Sequence, residues 1–211
     1  MAILKSSLIG VALSVVVSIA AVAQPVQTRR IAGTVEKADG STVVVKPQSG
    51  DPVTVHLADK ASIYGVSKGT MADLKPNAFI GVGAMPQADG SQRAMQITVF
   101  MESQRGVGEG FHPWDRAPNS TMTNGTVDTR VASVDGPTLT LKYKGGEKKI
   151  VVPSDAVILA YSVGDKSDLK PGTHVAIIGA KPRADGTLDA SRVNFGLGDV
   201  VPRASSSCTF M

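Results

Sequence analysis

An internal repeat constrains this chain more than any other feature. Ile31-Ala32-Gly33-Thr34-Val35 returns as Thr123-Asn124-Gly125-Thr126-Val127, and Asp73-Leu74-Lys75-Pro76-Asn77 returns as Asp168-Leu169-Lys170-Pro171-Gly172. Gly83-Ala84-Met85-Pro86-Gln87-Ala88-Asp89-Gly90 matches Gly179-Ala180-Lys181-Pro182-Arg183-Ala184-Asp185-Gly186, and each copy then closes alike, on Ala94 and Ile97 or Ala190 and Val193. The offset between matched blocks stays between 92 and 96, so order, spacing and identity agree. A fold for this chain has to be built twice from one small unit.

Each unit reads as short strands between turn signals. Val53, Val55 and Leu57 alternate with Thr54 and His56, which predicts a strand with one wet face. Asp39-Gly40 and Asp89-Gly90 mark hairpin turns. Ile63 falls in a further short strand, and Thr70 to Lys75 predicts a single helical turn stopped at Pro76. The expected fold is all-β: two tandem, small OB-like (Greek-key) barrels, each closing its own edges, with an open β-sandwich as the alternative. The expected organisation is a leader over 1–23, a first barrel over 24–103, a Gly/Pro connector over 104–122, a second barrel over 123–200 and a disordered tail over 201–211. A unit this size buries only about 60% of its unfolded surface, so the copies should pack together.

The N-terminus predicts export. Lys5 is followed by an uncharged apolar run from Leu8 to Ala20, and Ala21-Val22-Ala23 supplies small residues for cleavage before Gln24. The run is barely long enough for a membrane anchor, which wants about 20 predominantly apolar residues, and Gly10, Ser14 and Ser18 interrupt it. The expected location is periplasmic or secreted, with no stable membrane anchor after cleavage. The one cysteine, Cys208, sits in the C-terminal tail. It cannot form an internal disulfide, and it leaves open an intermolecular one.

The strand–Gly–Val openings, the segment Asp168-Leu169-Lys170-Pro171-Gly172 running on to Val175, and the closing Asp-Gly hairpins carry a resemblance. They resemble a bacterial family of exported OB-like domains of unknown function, here in two tandem copies. The resemblance implies fold and compartment, and it implies no catalytic residues. The first copy departs from the pattern at Asn77, where the second has Gly172; both residues suit a turn.

Chemistry has one place to gather, the connector that does not repeat. It holds the only tryptophan, Trp114, with His112, Glu109, Asp115 and Arg116 around it. Polar groups about an aromatic suit a recognition loop; equally, Phe111 and Trp114 suit apolar pegs fixing the two barrels. Gly106-Val107-Gly108-Glu109-Gly110 lacks a following helix to bind phosphate and reads as a flexible hinge. His56, His112 and His174 form no close-spaced ligand pair; His112 with Glu109 and Asp115 would make a weak metal site only if the loop curls. No Gly-x-Ser-x-Gly elbow appears. Tyr64, Phe79, Tyr143, Tyr161 and Phe195 are too few for a nucleic-acid stacking face. Lys142, Lys144, Lys148 and Lys149 read as a solvated hairpin tip.

The expectation is therefore a non-enzymatic binding or scaffold protein, with no cofactor and no nucleic-acid partner. Its partner would be an envelope protein or a small ligand met by the connector. Two rivals stand beside it: an envelope metal-transport or metal-homeostasis accessory using His112, Glu109 and Asp115, and an enzyme whose site is assembled between the barrels.

Overall fold

A computed structural model describes residues 27–133 and 136–204; the expected leader and Cys208 lie outside the described residues. The described chain is all-β. Strands β1 (Arg29–Asp39), β2 (Thr42–Pro47) and β3 (Val53–Lys68) form an antiparallel meander. Val43, Val45, Val55 and Leu57 point to one buried face, as the period-two pattern requires. A 3-10 turn at Met71–Asp73 follows, where the Asp73 carboxylate accepts hydrogen bonds from the Thr70 amide and hydroxyl. It delivers Leu74, fully buried, ahead of the hairpin β4 (Phe79–Pro86) and β5 (Gln92–Val99).

In the connector lies β6 (Gly110–Pro113). The second copy then repeats the series as β7 (Thr121–Val131), β8 (Thr138–Tyr143), β9 (Gly146–Val151), β10 (Val157–Val163), a 3-10 turn at Lys166–Asp168, β11 (His174–Pro182) and β12 (Leu188–Gly196). The first copy spans with one long strand, β3, what the second divides into β9 and β10, so Ile63 does not begin a separate strand. Pro153 marks the division, since it has no N–H to offer a ladder. Ala58, Asp59 and Lys60 stand at the matching place in β3, where the strand runs on exposed.

The final hairpins are exchanged. β11 pairs with β1 and β12 with β3, so the ring β1-β2-β3-β12-β11 closes with strands from both copies. The second ring, β7-β8-β9-β5-β4, closes with the hairpin of the first copy. This corrects the expected domain boundaries: neither 24–103 nor 123–200 is a self-contained barrel. The registers show the relation. β12 runs parallel to β3 with Val193 opposite Ile63, and β5 runs parallel to β10 with Ile97 opposite Ile158. β3 and β10 themselves pair antiparallel, with Val66 opposite Tyr161. A pseudo-two-fold axis therefore passes between these two equivalent residues.

The two cores are mixed in the same way. One packs Ile31, Val35, Val43, Val45 and Val55 with Leu169, Val175, Ile177 and Val193; the other packs Leu74, Ile80, Val82 and Ile97 with Val127, Leu139, Leu141 and Ile150. Leu74 and Leu169, the repeated leucines, thus each plug the barrel begun by the other copy. The repeated glycines Gly33 and Gly125 allow a close strand approach. A Cβ on either would collide with the carbonyl oxygen of Lys46 or Lys142. Asn77 (φ +70°) and Gly172 (φ +91°) share the left-handed conformation, which answers the one departure in the turn motif.

Candidate binding groove at the junction of the barrels

β12, β3, β10 and β5 lie side by side across the pseudo-two-fold. Alternate residues, Ile63, Ile97 and Val193 among them, point into the cores. The others form an outer floor: Tyr64, Val66 and Lys68 on β3, Gln96 and Thr98 on β5, Val157, Leu159 and Tyr161 on β10, Arg192 and Asn194 on β12. At one end this floor is an aromatic block. Tyr64 and Tyr161 stack with centroids 6.1 Å apart, and the Arg192 guanidinium lies 4.9 Å from the first ring and 5.9 Å from the second. Phe100 meets Tyr161 edge-on at 5.7 Å, and the Asn194 side-chain amide donates to the Tyr161 hydroxyl at 3.2 Å.

Beside that block the floor opens into a groove of about 260 Å³, which runs over Val66, Gln96, Thr98, Leu159, Tyr161 and Asn194. Two segments wall it. The stretch Val200 to Arg203 forms one side, and Arg116 from the connector the other. Arg116 donates from Nη1 to Gln96 Oε1 at 3.0 Å. Burial, with the like charge of Arg203 adding to it, draws the Arg116 guanidinium below its ordinary value. Lys68 at the rim is paired with Asp199 at 2.6 Å, both well exposed. The arrangement can accept a ligand with polar groups and an apolar body.

Three consecutive connector side chains reach three different strands. Trp114, 5% exposed, lies flat on β4, where a Cβ on Gly83 would collide with the indole ring. Asp115 pairs with Arg30 of β1 at 2.8 Å, and Arg116 enters the groove. The backbone is held for this by Ser120, whose hydroxyl donates to the Ala117 carbonyl at 2.6 Å, while the Trp114 amide donates to the Ser120 carbonyl at 2.8 Å. Elsewhere β6 pairs with β7, and the Glu109 carboxylate accepts from the Lys144 amide at 3.0 Å. The glycine segment is therefore a folded clasp rather than the expected hinge. Gly106, Gly108 and Gly110 take φ of +84°, +56° and +138°, which favour glycine.

Of the five connector residues singled out by sequence, only Arg116 lines the groove. Trp114 is a buried wedge, Asp115 and Glu109 are tied to Arg30 and Lys144, and His112 is exposed on β6. No group of three metal-ligating side chains occurs among the described residues. Sequence reasoning missed Gln96, Thr98, Asn194 and Arg203, whose grouping depends on the exchanged hairpins. Two other hollows are open clefts at hairpin tips. One, about 770 Å³, is lined by Asp89 and Arg93; the other, about 510 Å³, by Arg183 and Asp189. Asp89 is committed to the Ser91 amide and hydroxyl, and Asp189 to Arg183. No protein-family model matches the chain, and no curated protein or solved structure matches it significantly.

Proposed function

We propose that the protein is an exported, non-enzymatic binding protein whose ligand or partner segment sits in the junction groove. The observation that carries this reading is convergence. Floor residues from both copies, the connector's Arg116 and the terminal stretch Val200 to Arg203 meet at one concavity. Pockets that orient ligands are mostly apolar with a few placed polar groups, which is the make-up of this groove. The connector acts as its wall and clasp, in place of a loop offered freely to a partner.

The barrels are OB-like under this proposal. The strand order of each ring supports it: three meander strands, then the last strand of a hairpin parallel to the third, and the other hairpin strand closing antiparallel on the first. Export rests on the leader's three-part pattern and on the resemblance to exported bacterial domains; N-terminal sequencing of envelope material should read from Gln24.

The test compares wild type with Val157→Trp, which places an indole at the half-exposed edge of the groove. Each is captured from envelope extract and weighed by native mass spectrometry for bound small molecules and proteins. At least one species held by wild type should be missing from the variant. Identical captures by two equally folded proteins overturn the reading.

A further inference from the structure

Resting on that reading, we propose that the groove takes a small amphipathic organic anion, its carboxylate or phosphate held by Arg116 and Arg203. The charge pattern leads there. Arg30, Arg93, Arg105 and Arg183 each have a carboxylate partner, in Asp115, Asp155, Glu102 and Asp189. Arg116 and Arg203 have none within ion-pair distance among the described residues, though both line the same cavity and repel each other. Among the described residues, the only oxygen acceptor bonded to Arg116 is the neutral amide of Gln96.

Both guanidiniums are exposed at the groove, and together they leave a positive patch that an oxyanion would neutralise. A planar oxyanion matches a guanidinium fork with two parallel hydrogen bonds. Thr98, buried on the floor, adds a neutral hydroxyl that orients such a head, while Asn194 beside it is held by Tyr161 and Arg192. The remaining lining is apolar: Val66, Leu159, Val200 and Pro202 ask for a hydrocarbon body and discriminate against a bare inorganic ion. The volume lies just under the roughly 300–1,000 Å³ of drug-sized sites, which limits the ligand to a short chain or single ring.

The experiment titrates purified protein with octanoate, octyl phosphate, 1-octanol and inorganic phosphate, reading heat and the emission of Trp114, the sole tryptophan. At least one octyl anion should bind saturably and at least tenfold tighter than both octanol and phosphate. The tighter of the two identifies the head as a carboxylate or a phosphate ester. Arg116→Gln should weaken it tenfold or more, Arg116→Lys less, Arg203→Gln severalfold, with melts confirming the fold of each. Failure of both octyl anions to bind at millimolar concentration overturns the proposal, as does binding unchanged in Arg116→Gln. Octanol binding as tightly as octanoate removes the anion while leaving the groove as a binding site. Val157→Trp binding octanoate as well as wild type moves the ligand out of the groove and sinks both readings.

Discussion

The two barrels are assembled from strands in the same order, yet only the second carries the connector's tryptophan on its wall. Val82 pairs with Thr123 and Ile97, and Ile177 pairs with Ile31 and Val193, so these two core residues are counterparts. The next residue outward is Gly83 in the second barrel and Ile178 in the first. The first barrel has an isoleucine there, 9% exposed, whereas the second leaves a bare strip of backbone and lays Trp114 on it. Equivalent places in the two rings are therefore filled by the strand's own side chain in one and by a borrowed one in the other. Borrowing also fixes the chain on either side, and that is what brings Arg116 to the groove.

The comparison can be broken most severely at the level of whole copies. Residues 27–104 expressed alone should give no cooperative monomeric fold, because the first ring lacks its closing hairpin. A monomer with a sharp melt, shown by sedimentation and calorimetry, would restore contiguous barrels. Next in size, Trp114→Ala should cost about 3–5 kcal/mol by denaturant unfolding, more than Ile178→Ala, since it empties a larger site. An unchanged midpoint would reduce the connector to a spacer.

Smaller and more discriminating are the twin substitutions Gly33→Ala and Gly125→Ala. Each forces a methyl against a neighbouring backbone, at about 1–3 kcal/mol. Near-equal losses fit equivalent positions; a clear difference would show the rings tolerate strain unequally. Smallest is the acid response. Asp89 is held below its usual 3.8 by the Ser91 hydroxyl and amide, and Asp185 by Thr187 in the same way. As pH falls the unfolded chain takes up these protons first, so the contribution is complete above the unfolded value and fades as pH drops through and below 3.8. Melts from pH about 5 down to 2 should fall less steeply for Asp89→Asn and Asp185→Asn, by similar amounts.

Much of this was legible because its signals are local. The Asp-Leu-Lys-Pro blocks are the 3-10 turns and their buried leucines, the Gly-Thr-Val blocks are the close strand crossings, and the Asp-Gly pairs are hairpin turns. The exchange of hairpins was not legible, because β4 and β5 carry the same alternation whichever ring they close. The groove was hidden with it. Gln96 and Asn194 come from the two exchanged hairpins, and nothing in their spacing announces that they share a floor with Arg116. Trp114 was the exception: its isolation among few aromatics marked it, while the glycine at position 83 that receives it reads in sequence as one more repeated residue.

The exchanged hairpins also set a timetable. Thr34 and His174 hydrogen-bond across 140 residues of chain. Synthesised from its N-terminus, the protein makes the first barrel's meander earliest and its closing hairpin last. The second barrel, whose borrowed hairpin is already waiting, can complete itself sooner. Contacts so distant slow folding, and in the interval β1 and β3 present unpaired edges to whatever is nearby. An unfinished ring accepts the same hairpin from a neighbouring chain as from its own. Refolding at high concentration should therefore yield interlocked oligomers, and dilution should return the monomer.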